Sequence, residues 1–367
     1  MFEASAKRSI AIDAMGGDRG PEEFAYGVAI ALSDPKFEES FDELIFVGDE
    51  AILFPALRKA GISGDKRVDV HHADEVIGMD EKPLVGIRKK PNSSMVQALH
   101  LVRDGRAGAL LSCGNTGSLM AGGTLRIRPL PGVERPALGT IIPTRESRFI
   151  LLDAGANPEP TSLQMCQNAI LGSNYAKVAI GRERPRVGLL TIGTEEGKGS
   201  ARIQEAHTRL KQLRPVIDYT GLIEGFQVFQ NHVDVVVCDG FTGNIVLKVC
   251  ESLFKMLSGY LKDELSSNLL RKSGALLAMG AFKEIKHQLD PAQYGGAPLL
   301  GLKAPVLKAH GSSDRESIAG ALKIAANALT HDLTEHIRSD IQRADEILSN
   351  HSEETSEDGV EKEMASS

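Results

Sequence analysis

Six segments of the sequence combine glycine with small hydroxyl, amide or carboxylate side chains, a composition that suits anion-binding loops. Glycine lets the backbone approach a ligand closely, and exposed backbone N–H groups favour a negative charge. One such segment would be explained by turn geometry, whereas six after successive apolar runs are much harder to explain in that way. The pattern predicts a cleft for a phosphate or carboxylate ligand. The segments are residues 13–18, 112–117, 153–157, 191–200, 238–244 and 310–314.

Spacing excludes several common nucleotide and hydrolase motifs. Residues 193–200 are similar to a Walker A loop, but that motif needs glycine at the position of Ile192 and serine or threonine at that of Gly199. No G-x-G-x-x-G motif follows the first predicted strand, which disfavours NAD without excluding it. No G-x-S-x-G motif of serine hydrolases is present. The glycine-rich segments therefore match none of these standard sites.

The sequence indicates no metal centre. Its four cysteines lie far apart with no C-x-x-C pair, so neither a disulfide framework nor a zinc site is predicted. His71 and His72 stand close to acidic residues, but adjacent strand residues face opposite sides of a sheet. We expect reduced, buried thiols and no metal ligands.

Short apolar runs recur along the chain, and most end at a polar turn before a segment with helical periodicity. This alternation indicates βαβ units and an α/β fold, with a mostly parallel sheet covered by helices on both faces. In such a sheet the carboxyl ends of the strands meet at one edge, so the loops that follow them converge there. The runs are residues 9–13, 44–47, 68–71, 109–112, 149–153, 187–191, 233–238 and 305–309.

Several helix starts can also be placed from the residues. Pro21 suits a first helical turn, and Asp49 and Ser93 suit N-caps. Thr161 precedes a long segment with apolar periodicity. Residues 313–345 are predicted to form a long helical stretch with a break near residues 329–332.

Residues 244–290 depart from the alternation, because two helices follow each other with no strand between them. They predict a helical hairpin that projects from the sheet. Apolar side chains stand there beside basic residues, as in an interfacial amphipathic helix. Packing in a dimer interface or in the core is the commoner use of an apolar helix face, and from the residues alone we favour it. The candidate membrane contacts are Leu269, Leu270, Leu276, Leu277 and Phe282.

The charge distribution argues against nucleic-acid binding. The formal net charge is −7, but residues 351–367 hold six acidic residues against one lysine, so the rest of the chain is nearly neutral. A nucleic-acid-binding surface would need a basic face. We predict that the acidic segment 346–367 is a disordered tail. No stretch reaches the ~18 apolar residues of a membrane span and no secretory signal is evident, so we expect a cytoplasmic protein.

The glycine-rich segments closely resemble those of the PlsX family of phosphate acyltransferases, soluble bacterial enzymes of phospholipid synthesis. Together the matching segments span nearly the whole chain apart from its first seven residues and the acidic tail. They are residues 10–21 (IAIDAMGGDRGP), 112–123 (SCGNTGSLMAGG), 151–158 (LLDAGANP), 188–200 (GLLTIGTEEGKGS), 238–245 (CDGFTGNI) and 294–313 (YGGAPLLGLKAPVLKAHGSS).

The resemblance implies that the chain converts an acyl carrier protein thioester and inorganic phosphate into acyl phosphate and free carrier protein. A membrane glycerol-3-phosphate acyltransferase then uses the acyl phosphate. The implied fold is a three-layer α/β/α sandwich related to isocitrate and isopropylmalate dehydrogenases and to phosphotransacetylase, with residues 8–345 as a single catalytic domain. The resemblance further implies a homodimer with peripheral membrane contact, and no metal or organic cofactor.

Such a reaction needs little proton chemistry, because phosphate is already partly dianionic at neutral pH and a thiolate leaves readily. We expect bound phosphate to attack the thioester directly, with catalysis by positioning and by donors aimed at the developing oxyanion. Lys198 is the favoured cation for phosphate, although without the glycines around it a solvated loop lysine would be the better interpretation. The candidate donors are Gly16, Gly17, Asn115, Thr116 and Gly117.

The acidic residues at the strand ends have two open interpretations. Asp13, Asp153 and Asp239 orient donors or act as bases, or else they cap helices and close turns. His310 is a candidate to protonate the leaving thiolate, although a structural histidine is commoner. For Cys113 a buried structural thiol is favoured over an acyl carrier. Further candidates for phosphate or substrate binding are Asn157, Thr194, Glu195, Gly240, Thr242, Gly243, Asn244, Gly311 and Ser312.

Three alternatives stay open at this point. They are a dehydrogenase or an acetyl-specific phosphotransacetylase on a similar fold, and a catalytically silent adaptor that binds carrier protein or membrane. Acyl carrier proteins are acidic, so a local basic patch is a candidate docking surface for one. The sequence offers two such patches, Arg88, Lys89 and Lys90, and Arg126 with Arg128.

Overall fold

The computed structural model describes residues 8–195, 197–289 and 296–365, and in it strands and helices alternate along most of the chain. The strands are β1 Ser9–Asp13, β2 Glu43–Gly48, β3 Val68–His72, β4 Ala109–Ser112, β5 Ala137–Leu138, β6 Thr140–Pro143, β7 Arg148–Leu152, β8 Arg186–Thr191, β9 Asp218–Glu224, β10 Val235–Val237, β11 Ala297–Leu300 and β12 Val306–Lys308. The helices are α1 Pro21–Leu32, α2 Pro35–Glu38, α3 Glu50–Lys59, α4 Pro83–Lys89, α5 Ser94–Arg103, α6 Thr116–Gly122, a π-helix Gly123–Ile127, α7 Ser162–Ile180, α8 Ala201–Gln212, a 3-10 helix Gly225–Gln227, α9 Gly240–Ser266, α10 Leu269–Leu277, α11 Met279–Leu289, α12 Arg315–Thr330 and α13 Leu333–Ala365.

These strands form two sheets, each of them mostly parallel. The first sheet has the order β3-β2-β1-β4-β12-β11-β5, and within it β11 runs antiparallel to both of its neighbours. The second has the order β6-β7-β10-β8-β9, and within it β6 pairs antiparallel with β7. The prediction of a mostly parallel α/β fold is confirmed, but the strands divide between two sheets where one was expected.

The two sheets meet at Gly139, the one residue between β5 and β6. Its N–H donates to the carbonyl of Pro298 in β11 at 2.9 Å. The N–H of Ala154, just beyond β7, donates to the carbonyl of Leu138 in β5 at 2.8 Å. The carboxyl end of β7 therefore lies beside an edge strand of the first sheet.

Helices cover both faces of the first sheet. Helices α1, α3 and α12 pack on one face through side chains such as Phe24, Leu53 and Leu322. Helices α5 and α6 pack on the other through Leu99 and Leu119. The second sheet is covered in the same way, by α7, α8 and α13 on one face and by the 3-10 helix region and the start of α9 on the other. Each sheet is thus the middle of three layers.

The predicted helix starts are confirmed. Pro21 is the first residue of α1, and the Asp49 and Ser93 side chains cap α3 and α5. Thr161 caps α7 and forms a reciprocal capping box with Gln164. These caps direct each helix away from the strand end that precedes it.

The projecting segment consists of three helices rather than the predicted two. Helix α9 begins at Gly240, ahead of the predicted boundary, and of its 27 residues Gly240 and Gly243 are the buried ones. A new helix, α10, starts where the Asn268 side chain accepts the Arg271 N–H at 2.9 Å. Residue 290, the predicted end of the hairpin, lies outside the described residues.

The four leucines predicted as membrane contacts are exposed, whereas Phe282 is half-buried. None of the helices in the described ranges is both long and apolar enough to cross a membrane. The exposed fractions are 83% for Leu269, 85% for Leu270, 70% for Leu276 and 91% for Leu277.

Helix α13 runs to Ala365 and so includes most of the segment 346–367 that we predict to be a disordered tail. Leu333, Ile337 and Ile341 anchor the first half of the helix in the core of the second sheet. Residues 366 and 367 lie outside the described part.

Asp234, just before β10, holds one end of the second sheet through an arginine pair. Its buried carboxylate lies 3.0 Å from Arg186 Nε and 3.3 Å from Arg182 Nε. Burial raises the pKa of this carboxyl, but the hydrogen bonds and charges of the arginines outweigh burial and hold the pKa below its ordinary value of 3.8.

We expect Asp234→Asn to lower the free energy of unfolding by about 1–3 kcal/mol at neutral pH, because Arg186 loses its charge partner but remains partly hydrated. A depressed pKa gives stability that is present above 3.8 and is lost as the pH falls through the folded value, so the difference from wild type should vanish in acid. Urea unfolding at neutral and acidic pH measures both effects. Asp104→Asn, which breaks an exposed pair with Arg103, is the control and should cost about 0.5 kcal/mol or less. Equal losses in the two variants would contradict the assignment.

Candidate active site

The loops that follow β1 and β4 approach each other so closely that a side chain would not fit between them. A Cβ atom added to Gly16 would lie 2.6 Å from a carboxylate oxygen of Asp13 and 2.9 Å from the backbone of Gly114. Such distances require glycine. The predicted meeting of these two loops is therefore present in the structure.

The loop after β12 joins the same group. A Cβ atom on Gly17 would lie 3.4 Å from the Cβ atom of Cys113 and 3.6 Å from the carbonyl oxygen of Gly311. The N–H of Asp18 donates to that carbonyl at 2.8 Å. The loops after β1, β4 and β12 thus form one continuous surface, which we call the first-sheet group.

Asp13 supports the loops of the first-sheet group from the interior of the protein. It is the last residue of β1, it is completely buried, and Ser94 Oγ and Ser112 Oγ each donate to its carboxylate at 2.6 Å. Burial raises the pKa of Asp13, and these hydrogen bonds and the nearby charge of Lys308 oppose the rise. An enclosed carboxylate with these partners has no face left for a substrate, so the geometry favours positioning of the loops over action as a base.

Several backbone donors in the first-sheet group are candidates to bind a ligand. The N–H groups of Gly16, Gly17, Thr116 and Gly117 donate to no acceptor among the described residues. Gly16 and Gly17 are half-buried and Thr116 is exposed, so these donors lie at the edge of the protein interior. Backbone amides with this placement suit an oxyanion or a phosphate oxygen.

Asn115, predicted as a side-chain donor, is engaged in holding the loop. Its Oδ1 accepts the N–H of Ser118 at 2.9 Å and so caps α6. Its Nδ2 donates to the carbonyl oxygens of Met79 at 2.6 Å and Glu81 at 3.3 Å. Both ends of the side-chain amide have protein partners, which leaves the backbone as the source of donors at this loop.

Lys308 is a residue that the sequence interpretation overlooked. It is the last residue of β12, it is buried, and Nζ donates to the carbonyl of Cys113 at 3.4 Å and to that of Ala309. The sequence feature that could have identified it is the presence of a lysine within the apolar run 305–309. A buried cation therefore lies beneath the loops of the first-sheet group.

A second group of predicted residues lies at the ends of β7 and β10. The buried carboxylate of Asp153 accepts the backbone N–H groups of Leu138, Gly155, Ala156 and Asn157 at 3.1, 3.0, 2.8 and 2.6 Å. Burial raises the pKa of this carboxyl and the four N–H groups oppose the rise. Asp153 therefore closes the turn after β7, in line with the structural interpretation.

Asp239 caps α9 next to this turn. Its carboxylate accepts the Thr242 N–H at 2.7 Å and the Thr242 hydroxyl at 2.8 Å. A Cβ atom on Gly243 would lie 1.9 Å from the carbonyl oxygen of Asp153, so α9 begins in direct contact with the β7 turn. Asn157 accepts the Gly240 N–H at 2.8 Å, and Asn244 packs beside the turn. These residues form the second-sheet group.

Strand pairing and a hydrogen bond connect the two groups. Strand β12 is followed in the first sheet by β11 and β5, and Asp153 accepts a hydrogen bond from Leu138 of β5. The second-sheet group is therefore adjacent to the edge strand of the first sheet, two strands away from β12.

The loop of residues 191–200 carries the predicted phosphate cation at the surface. Thr194, Glu195 and Lys198 are exposed, and the Lys198 N–H donates to the Glu195 carbonyl at 3.2 Å. The Lys198 side chain lies over Gly193, and no described hydrogen bond links it to Gly17 or Asn115. The structure thus brings Gly17 and Asn115 together and leaves Lys198 on a separate loop after β8.

His310 and Ser312 lie at the exposed edge of the first-sheet group. The hydroxyl of Ser312 lies 2.8 Å from His310 Nδ1, and the Ser312 N–H donates to the same nitrogen at 3.2 Å. Nδ1 is therefore an acceptor, which leaves Nε2 as the nitrogen that carries the proton in the neutral ring. This nitrogen has no hydrogen-bond partner within the described ranges.

Cys113 is not placed to carry an acyl group. Burial raises the pKa of its thiol to about 12, so the reactive thiolate is scarce at neutral pH. In the described ranges no cluster of three or more histidine, cysteine or acidic side chains is arranged to hold a metal ion.

Comparison with known proteins identifies close relatives. A family model described as a fatty acid synthesis protein matches residues 8–336. The phosphate acyltransferase of Thermoanaerobacter pseudethanolicus is 42% identical over 340 residues, which cover 93% of this chain and 99% of that protein. The phosphate acyltransferase of Methylococcus capsulatus is 41% identical over 317 residues, which cover 86% and 92%.

Solved structures with the same fold are more distant in sequence. A phosphotransacetylase from Streptococcus pyogenes has a TM-score of 0.62 at 18% identity, over 89% of this chain and 94% of that chain. A branched-chain phosphotransacylase from Enterococcus faecalis has a TM-score of 0.54 at 14% identity, over 88% and 98%. At these identities the likeness shows a shared fold, as expected for the phosphotransacetylase relation. The family match and the identities above 40% show more: the chain belongs to the fatty acid synthesis protein family, the PlsX-type phosphate acyltransferases that its glycine-rich segments resemble.

Proposed function

We propose that the chain transfers a fatty-acyl group from the thioester of acyl carrier protein to inorganic phosphate, giving acyl phosphate and free carrier protein. The observation that carries this proposal is the set of backbone N–H groups at Gly16, Gly17, Thr116 and Gly117, which have no acceptor among the described residues. They belong to loops that lie above the buried Lys308, and the relatives with more than 40% identity are phosphate acyltransferases.

The reaction is a single acyl transfer. A phosphate oxygen attacks the thioester carbonyl carbon, a C–O bond forms, and the C–S bond then breaks with its electron pair leaving on sulfur. Phosphate is partly dianionic at neutral pH and a thiol has a pKa of about 8.5, so neither nucleophile nor leaving group needs strong activation. The main task for the protein is to hold phosphate beside the carbonyl and to stabilise its oxyanion.

Each group of residues has a task in this scheme. The loop amides of the first-sheet group hold phosphate and the oxyanion, and Asp13 keeps those loops in position. Lys198 approaches phosphate from the solvent side. His310 donates a hydrogen bond from its outer ring nitrogen to the leaving thiolate, which then takes its proton from water. The second-sheet group, with Asp239 and Thr242, contacts the thioester arm from the opposite side of the cleft.

The acidic carrier protein docks on basic residues beside the first-sheet group. Arg88 and Lys89 are exposed at the end of α4, whereas Lys90 is engaged with Glu81 and contributes less. Arg126 lies ten residues beyond Thr116 along α6 and the π-helix, about 15 Å from the amide donors at 1.5 Å per residue. The carrier's flexible prosthetic arm bridges a separation of this size.

The exposed leucines of α10 contact the membrane, where a glycerol-3-phosphate acyltransferase takes up the acyl phosphate. A protein that works from the cytoplasm as a homodimer with peripheral membrane contact fits this arrangement. The supporting observation is the exposure of four leucines beside Arg271 and Lys272, a composition suited to an anionic lipid surface.

We expect the purified protein to release free carrier thiol from acyl carrier protein only when inorganic phosphate is present. A thiol-reactive dye follows the release, and acyl phosphate is trapped with hydroxylamine. Equal turnover of acetyl-coenzyme A would instead identify an acetyl-specific phosphotransacetylase. Carrier binding without phosphate-dependent release would identify an adaptor.

Removal of the Lys198 charge should weaken phosphate use. We expect Lys198→Ala to raise the phosphate KM about tenfold, because a charge-assisted contact is lost, and to leave the KM for carrier protein near its wild-type value. Lys211→Ala, an exposed lysine on α8, is the matched control and should behave as wild type. Unchanged phosphate dependence in Lys198→Ala would assign Lys198 to the solvated surface.

Charge on the exposed leucines should abolish membrane contact. We expect Leu276→Asp with Leu277→Asp to prevent sedimentation with anionic phospholipid vesicles, because a buried carboxylate is costly in an apolar layer. Ile52→Asp, an exposed apolar residue on α3, is the control and should bind as wild type. A variant that binds vesicles normally but no longer forms a dimer would assign these leucines to the dimer interface.

A further inference from the structure

Lys308 is enclosed beneath the loops of the first-sheet group. It ends β12 in register with Ser112 of β4, and its exposed fraction is 9%. Lysine is seldom this buried unless it is paired, because an ammonium loses much of its hydration there. The position of Lys308 therefore calls for a partner of opposite charge.

The protein supplies only part of that partner. Nζ donates to the carbonyl oxygens of Cys113 and Ala309. An ammonium has three N–H donors. Among the described residues no third acceptor and no ion-paired carboxylate meets Lys308. One donor and the net positive charge are thus left over.

The two carboxylates that act on Lys308 belong to Asp13 and Asp18, and neither forms a described ion pair with it. Asp13 accepts hydrogen bonds from Ser94 and Ser112, and Asp18 is exposed. Burial lowers the pKa of Lys308, and the thiol of Cys113 and these two carboxyls oppose the shift without cancelling it. A second anion close to Nζ would complete the electrostatic balance.

We propose that Lys308 binds the phosphate substrate from the interior side of the cleft. Its ammonium is held by the carbonyl of Cys113, whose side chain lies beside Gly17. The amides of Gly16 and Gly17, which have no acceptor among the described residues, therefore belong to the same group of loops as this ammonium, and in the proposal they bind the same anion. The inference rests on the proposed function, in which phosphate is the acyl acceptor, and it names the residue that neutralises the dianion.

The test compares Lys308→Met, which removes the charge at similar volume, with Lys303→Met, an exposed lysine ahead of β12. Inorganic phosphate is the probe, and its binding is measured by the rise in the midpoint of thermal unfolding. We expect Lys308→Met to weaken phosphate binding about 10- to 100-fold and to raise the phosphate KM by a similar factor. The KM for carrier protein should stay unchanged, and Lys303→Met should match wild type throughout.

Two results overturn the inference. Wild-type phosphate affinity in Lys308→Met, or the loss of its native circular dichroism spectrum, would each assign Lys308 to the scaffold. The proposed function fails separately, by a different result. In that result phosphate stabilises the wild-type protein but not Lys308→Met, and the wild-type protein releases no carrier thiol. Acyl transfer would then be refuted, and the phosphate site would stand.

Discussion

Two aspartates that must find hydrogen-bond partners in the protein interior determine how the glycine-rich loops are arranged. Asp13 and Asp153 each follow or end a buried strand, where water cannot solvate a carboxylate. Asp13 recruits two serine hydroxyls, and Asp153 recruits four backbone N–H groups. Because an unpaired buried carboxylate is costly, a loop arrangement that provides these partners is strongly favoured over others.

The same constraint explains why backbone N–H groups of the first-sheet group have no acceptor within the described part of the chain. Once Asp13, Asn115 and Gly16 have fixed the loops after β1 and β4, the nearby amide donors cannot rotate to reach acceptors of their own. Donors held in this way lose little further freedom when an anion binds. Preorganisation of this kind is the usual source of oxyanion stabilisation in acyl transfer.

Fold and chemistry come from different parts of the molecule. The chain shares its fold with phosphotransacetylases at 14–18% identity, so layered packing survives almost complete replacement of residues. Relatives named phosphate acyltransferase are more than 40% identical to it. Function follows the side chains and donors of the site rather than the architecture, and here those are the loops at the ends of β1, β4 and β12 together with the cation beneath them.

Much of this protein was predictable from local patterns. The apolar runs, the N-caps at Asp49, Ser93 and Thr161, and the glycine-rich loops each depend on residues close together in the chain, and the structure contains all of them. Resemblance to a family supplied the reaction. The acidic composition of residues 346–367 predicts a disordered tail, whereas helix α13 extends through most of them.

Other features depended on contacts between distant parts of the chain. The division into two sheets follows from pairing of β11 and β12 with strands far ahead of them, which no local pattern encodes. Asn115 has the residue type of a donor to substrate, but its side-chain amide instead donates to the carbonyl oxygens of Met79 and Glu81, which are distant in sequence. Lys308 lies in an apolar run, yet its burial beside Cys113 arises from packing across the sheet. The sequence alone determined the residue types and the strand-end loops. Tertiary structure decided which of those groups are free to meet a substrate and which form hydrogen bonds inside the protein. The physical reason is that hydrogen-bond partners are fixed only when distant strands pack.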